Sequence, residues 1–229
     1  MSYQFDPPAV VSAPVMGDAA RFPVHRIYCV GRNYAAHVRE MGGDPDRERP
    51  FFFLKPADTL VESGATIPYP SDTSNLHHEI ELVVAIGKGG SDIPEDEALE
   101  HVFGYAVGLD LTRRDRQFEA RDKGRPWDIG KAFDRSAPMG PIHKAADIGH
   151  PSEGRIWLRI GDATKQDSDL SKLIWSVPEI VSILSRSWEL RPGDLIMTGT
   201  PEGVGPIARG DVVVGGIDGL GEVSVRVGG

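Results

Sequence analysis

Apolar residues recur along this chain in short blocks closed by glycine or proline, which predicts strands and turns more often than helices. HRIYCVG (25–31) reads as a buried strand. NYAAHVREMGG (33–43) follows as one short helix with Asn33 at its N-cap and glycine at its stop. DPDRERP (44–50) is charged and aperiodic, a loop and a candidate lid, before the strand FFFLKP (51–56). LHHEIELVVAIGKGG (76–90) has a β-branched and aliphatic centre and is the clearest strand. EDEALEHV (95–102) has helical spacing, FGYAVGLDLT (103–112) returns to strand, and RRDRQFEARDKG (113–124) is a charged helix or turn. Further strands are expected at GRIWLRIG (154–161), DLIMTG (194–199), DVVVGGI (211–217) and GEVSVRVG (221–228). SVPEIVSILSRSWEL (176–190) is the one good amphipathic helix, capped by Ser176, with Val177, Ile180, Val181 and Leu184 on one face.

Strands thus outnumber long helices, and the expected class is α+β, mainly β. A doubly wound sheet would need a long helix after nearly every strand, which 103–170 does not offer. Residues 1–23, rich in Pro and Ala without periodicity, read as an extended arm, and 24–229 as a single domain.

Composition narrows the partners. Among 229 residues, 25 Lys+Arg against 34 Asp+Glu give a net charge of −9, which argues against a nucleic-acid binder held by phosphate contacts. A lone cysteine, Cys29, allows no internal disulfide and sits in an apolar run as a core residue. No window approaches the about 18 apolar residues of a membrane helix, and the N-terminus carries no signal-type run. These features give the expectation of a cytoplasmic protein without a membrane partner.

Several residues can carry chemistry. Glu79 and Glu81, two apart on a strand, point to one face while Ile80 and Leu82 point to the other. They are either a solvated polar edge or, in a strand as apolar as LVVAI suggests, ligands for a hard divalent cation. Asp110, at the end of another apolar run, is either a turn residue or a third oxygen ligand. His37 and Glu40 share a helix face at i,i+3, as a surface ion pair or as a base oriented by a carboxylate. Lys55 and Lys131 follow buried-looking segments and are candidate interior cations, whereas Arg47, Arg49 and Arg125 fit a surface mosaic. TGTPEGVG (198–205) is either a plain turn or an anion-binding loop with the Thr200 hydroxyl; it lacks the lysine of a phosphate-binding loop.

Taken in order, GRNYAAHVREM, FFFLKPADTL, HHEIELVVAIG, GYAVGLDLTRRDRQ, GRPWDIGKAFD, WSVPEIVSILS and GDLIMTGTPEGVG resemble the fumarylacetoacetate hydrolase family, over most of the body from Ile27 to about Val227. The resemblance implies a mixed β-roll, a homodimer, and Mg²⁺ or Mn²⁺ held by Glu79, Glu81 and Asp110. It implies a catalytic His37, Glu40 and Lys131, and substrate contacts from Lys55, Arg114, Gln117 and Thr200. Only the Pro-rich arm precedes the motifs, so the chain resembles the short, acylpyruvate-hydrolysing branch, and within it the bacterial members that split fumarylpyruvate into fumarate and pyruvate in gentisate catabolism. Alternatives are a general acylpyruvate hydrolase, an oxaloacetate decarboxylase and, from another class, a non-catalytic dicarboxylate binder. The segment IGDATKQDSD replaces the family's more usual Asn-Gly hairpin, with no site residue expected in it.

Overall fold

The computed structural model describes residues 2–44 and 48–228. Its centre is the strand Ile80–Ile86, every residue of which is buried. Ile80, Leu82, Val84 and Ile86 face the main core, while Val83 and Ala85 face a second, smaller one. The second face is the one that carries Glu81 at its other end, so one alternation supplies both packing and chemistry. On either side lie Leu195–Met197 and Val102–Leu109, both antiparallel to it. The eight-stranded sheet continues outward through Ile27–Gly31 to Phe51–Lys55 on one side and through Ala137–Met139 to Leu60–Glu62 on the other. Leu195–Met197 runs parallel to Ile27–Gly31, so the sheet is mixed.

A five-stranded sheet, ordered Ala163–Asp169, Arg155–Ile160, Val212–Ile217, Gly221–Val227 and Ala65–Ile67, closes the main core from the opposite side. Its Ile156, Leu158, Val213, Ile217, Val223 and Val225 join the same apolar cluster as the Ile80–Ile86 strand. The result is mainly β with short helices, as the strand pattern predicts. In the segment before residue 24, Ser12–Ala13 pairs with Phe22–Pro23, and Ala13, Val15 and Phe22 are buried in the second core.

Three sequence expectations change at the local level. The expected strand over 76–90 breaks at Glu79: Leu76–His78 belongs to a separate three-stranded sheet and Ile80–Ile86 to the large one. Glu79 therefore sits at the corner where the chain changes sheets, its carbonyl accepting from the Asp110 N–H at 2.9 Å. The first helix is Ala35–Glu40, not 33–43, and Asn33 is not its cap. The Asn33 amide instead donates to Thr198 O (2.8 Å) and Trp175 O (3.0 Å) and accepts from Trp175 N–H (2.7 Å). The helix expected over 176–190 begins with the Ser176–Glu179 capping box and buries Val177, Ile180, Val181 and Leu184, but it ends at Ser185. Leu190 exchanges both backbone hydrogen bonds with Gly90 and so cannot continue it.

Candidate active site

Glu79, Glu81 and Asp110 converge in one cavity, each offering a carboxylate oxygen within 4.8 Å of the others, and all three are buried. Such a cluster is unstable unless compensated. The compensation comes from three buried cations. Lys131 Nζ donates to Glu79 Oε2 (2.6 Å), Asp110 Oδ2 (2.7 Å) and Thr112 Oγ1 (2.8 Å). Arg114 donates to Glu79 Oε1 and to Gln117 Oε1. Lys55 Nζ lies 2.9 Å from Asp110 Oδ1 and donates to the carbonyls of Leu111 and Lys131 and to Ser136 Oγ. Three carboxylates face three cations, so the protein part of the site is formally neutral.

That neutrality is unevenly spread. Burial alone raises the Glu79 carboxyl, but Lys131 and Arg114 outweigh it and hold the group well below the usual carboxylate range. At Glu81 the pull of Lys131 is outweighed. Burial and then the charges of Asp110 and Glu79 push its carboxyl well above the ordinary value, and its hydrogen bond from the Gly199 N–H, 2.7 Å at Oε2, offsets only part of this. Lys131 gives up stability to burial and regains more from Asp110 and Glu79, so its ammonium is held charged. Asp110 Oδ1 meets the Lys55 ammonium as an ion pair but accepts no well-aligned hydrogen bond. A buried cluster of three hard oxygen donors, one of them an under-compensated carboxylate, fits an octahedral divalent cation of the Mg²⁺ or Mn²⁺ type.

His37 lines the same cavity. Its Nδ1 is 3.2 Å from Glu40 Oε2, and both Glu40 oxygens accept from the Gly203 N–H at 3.0 and 3.2 Å. Burial raises the Glu40 carboxyl, but the hydrogen bonds from His37 and Gly203 lower it further, so it stays ionised. With Glu40 accepting from Nδ1–H, the lone pair of the imidazole is on Nε2. Opposite this dyad, Thr200 Oγ1 accepts from Gln166 Nε2 at 2.9 Å, which leaves the Thr200 hydroxyl hydrogen free to donate into the cavity.

The turn that supplies Thr200 is set by Gly199, at φ +100, a conformation that favours glycine. A Cβ there would lie 2.8 Å from Asn33 Cβ. Gly199→Ala is therefore expected to cost about 1–3 kcal/mol of stability and to weaken metal binding by displacing the N–H that holds Glu81. Denaturant melts with and without Mn²⁺ check both effects; an unchanged midpoint and unchanged metal stabilisation would refute the account.

Comparison with known proteins gives the family. The family model described as fumarylacetoacetate (FAA) hydrolase C-terminal matches residues 26–228. The chain belongs to the fumarylacetoacetate hydrolase family. A fumarylpyruvate hydrolase from Ralstonia sp is 50% identical over 185 residues, 81% of this chain and 96% of that protein. The crystal structure of fumarylpyruvate hydrolase from Pseudomonas aeruginosa in complex with Mn²⁺ and pyruvate superposes with a TM-score of 0.96 at 61% identity, over 99% of each chain. The human mitochondrial oxaloacetate tautomerase FAHD1 is 42% identical over 201 residues, 88% of this chain and 90% of its own.

Of the residues that the family resemblance singles out, the structure gathers His37, Glu79, Glu81, Asp110, Arg114, Gln117, Lys131 and Thr200 around one cavity, with Glu40 behind His37. Lys55 departs from expectation. It does not line the cavity; its ammonium is engaged with Asp110, Ser136 and the carbonyls of Leu111 and Lys131, so in this structure it holds Asp110 in place. Lys131 lines the cavity with its three donors already taken by Glu79, Asp110 and Thr112. Gln166, within IGDATKQDSD, is a residue that sequence reasoning missed. Buried at 1% exposure, it accepts from Ile80 N–H, stands 3.1 Å from His78 Nδ1 and donates to Thr200 and Pro201, tying the carboxylate strand to the Thr200 loop. One glutamine in a polar hairpin carries no signal of such a role. Of the expected lid over 44–50, residues 45–47 lie outside the described residues.

Proposed function

We propose that this protein is a metal-dependent hydrolase of the carbon–carbon bond in a 2,4-diketo acid, converting fumarylpyruvate and water into fumarate and pyruvate. The observation that carries the reading is the His37–Glu40 dyad beside a buried three-carboxylate cluster. A binding protein has no use for an oriented base. The relatives from Ralstonia sp and Pseudomonas aeruginosa, both named fumarylpyruvate hydrolase, support the choice of substrate.

Glu79, Glu81 and Asp110 would hold Mg²⁺ or Mn²⁺, which when bound supplies Lewis-acid polarisation of the oxygens at the substrate's 2-oxo acid end. His37 Nε2 removes a proton from a water that attacks the C4 carbonyl, while Glu40 stabilises the imidazolium. The Thr200 hydroxyl donates to the developing oxyanion, with Gln166 fixing its direction. As the C3–C4 bond breaks, its electron pair moves to C3 as the pyruvate enolate, and the proton held by His37 returns to that carbon. Gln117, buried and held by Arg114, presents its amide to the cavity as a substrate contact. Lys131 keeps Glu79 ionised and holds Glu79 and Asp110 in place, and any contribution to the oxyanion requires it to release one of its partners.

The wider setting belongs to the same proposal: a catalytic domain from 24 to 229 with an arm over 1–23, a homodimer, and a cytoplasmic role in aromatic catabolism of the gentisate type. Exposed Phe5, Val10 and Met16 give the N-terminal segment apolar surface for a second subunit. No helix among the described residues is long and apolar enough to cross a membrane.

The test is loss of the fumarylpyruvate enol absorbance with Mg²⁺, with Mn²⁺ and with EDTA, repeated with acetylpyruvate and oxaloacetate. Fast, EDTA-sensitive loss with fumarylpyruvate is expected. No turnover of fumarylpyruvate with either metal would overturn the reading, and preference for oxaloacetate would move the protein toward the tautomerase relatives.

A further inference from the structure

Two cavity arginines have no part in the chemistry described so far. Lys55, Lys131 and Arg114 are spent on buried carboxylates, yet a fumarylpyruvate dianion carries a second carboxylate at its far end. Arg32 and Arg121 line the same cavity and are both exposed. The only carboxylate on Arg121 among the described residues is that of the adjacent Asp122, an exposed pair of little strength. Among the described residues no ion pair to Arg32 is found; its guanidinium lies 6.0 Å from the Phe51 ring.

The positions of both are fixed by local structure. Arg114, Gln117, Phe118 and Arg121 all line the cavity and fall at i, i+3, i+4 and i+7 of the helix Arg114–Asp122. One helix face thus runs from the floor, where the Arg114 side chain is 2% exposed, to the rim, where that of Arg121 is 39% exposed. At 1.5 Å of rise per residue this face is roughly 10 Å long, about the length of an extended diketo diacid. The Arg121 guanidinium is held over the Phe118 ring at 4.6 Å. Arg32 follows directly on the strand Ile27–Gly31 with φ +61, a backbone state that a non-glycine residue adopts at a cost and that concentrates at functional sites. The cavity also has an aromatic wall: Trp127 and Phe53 line it with their rings 5.7 Å apart, and Phe51 backs Trp127 edge-on at 5.0 Å. That wall suits the alkene of a fumaryl group and repels an isolated charge, so a charged terminus belongs at the rim.

We propose that Arg121 and Arg32 form a carboxylate-reading rim that selects acylpyruvates whose acyl group ends in a second carboxylate. The inference rests on the hydrolase reading above and goes beyond it in naming the specificity residues. With the 2-oxo acid end at the floor beside Glu79, Glu81 and Asp110, the distal carboxylate accepts charge-assisted hydrogen bonds from the two guanidinium groups.

The experiment is steady-state kinetics of the native protein, Arg121→Gln, Arg32→Gln, the double variant and Arg121→Lys, each with fumarylpyruvate and with acetylpyruvate, which lacks the distal carboxylate. Each glutamine is expected to lower the ratio of kcat/KM for fumarylpyruvate over acetylpyruvate about tenfold, mainly through KM. The double variant is expected to lower it further and Arg121→Lys to recover part of it. Competitive inhibition by fumarate weakens in step. A ratio within about twofold of the native value in the double variant, or equal losses on both substrates, would overturn the rim. Turnover of neither substrate by the native protein would instead overturn the hydrolase reading and this inference with it, so the two failures are distinct.

Discussion

Replacing His37 by alanine is expected to lower kcat for fumarylpyruvate about 10²–10⁴-fold, the range for loss of a positioned general base, while Mn²⁺ binding persists. The physical reason lies in how the imidazole is held. Its Nδ1 is tied to Glu40, and Glu40 is tied in turn to the Gly203 N–H, so the basic Nε2 is aimed by a chain of hydrogen bonds that reaches across the fold. None of these contacts supports the carboxylate cluster, where Glu79 is held by Lys131 and Arg114 and Glu81 by Gly199. The His37 side chain is only 10% exposed but its Glu40 partner is 33% exposed, so the stability lost with the pair is about 1 kcal/mol or less. Kinetics in saturating Mn²⁺ together with Mn²⁺ titration of the variant separate the two effects. A variant that retains most of its kcat would remove His37 from the role of base, and one that no longer binds Mn²⁺ would make it a structural support of the metal site.

The second large effect is expected at Glu81. Glu81→Gln should weaken Mn²⁺ binding at least about a hundredfold, since loss of even an outer partner of a metal ligand costs 10–100-fold, and should abolish hydrolysis at ordinary metal concentrations. Yet the metal-free protein is expected to keep or gain stability. Glu81 is buried beside Asp110 and Glu79, whose charges outweigh the pull of Lys131, and its hydrogen bond from the Gly199 N–H is one that a glutamine oxygen can equally accept. Removing the charge relieves repulsion without leaving a donor unpaired. Thermal melts read this directly: Mn²⁺ at 100 times its Kd stabilises the native protein by about 2.7 kcal/mol, and that increment should vanish in the variant. If the metal-free variant unfolds instead, the carboxylate is a structural element; if it binds Mn²⁺ as the native protein does, Glu81 is not a ligand.

The arithmetic of charge links these expectations. Apart from Arg32 and Arg121 at the rim, three carboxylates and the three buried cations beside them leave the metal site formally neutral, so a divalent cation there adds positive charge that attracts the substrate's 2-oxo acid carboxylate. Metal and substrate therefore favour one another's binding through charge alone.

Much of this site was legible along the chain. Period-two alternation put Glu81 on the face of Val83 and Ala85, while the corner at Glu79, where the chain changes sheets, was not legible, and i,i+3 spacing put Glu40 on His37 because one helix turn brings such positions together. The apolar face of the helix beginning at Val177 followed from the same rule. What failed were statements about partners. Asn33 looked like a cap because Asn before a helical run usually is one, but three bonds to Thr198 and Trp175 outcompeted a single local bond. Lys55 is the interior cation that its apolar strand predicts, but alternation does not say which anion it meets, and the structure gives it Asp110 where the family resemblance implies a substrate. Gln166 gave no sign at all, since its neighbours in the hairpin are polar and exposed.

The sequence by itself determined the family, the mainly β class and the candidates for the acidic cluster and the His–Glu pair, because these rest on local periodicity and on ordered motifs. Only the tertiary structure decided which cation stands where: Lys131 between Glu79 and Asp110, Lys55 behind Asp110, and Arg32 with Arg121 at the rim. Local rules fix the direction of a side chain on its own element. The distance from Lys131 to Glu79, 52 residues away along the chain, is fixed by how the sheets pack, and packing is a property of the whole core.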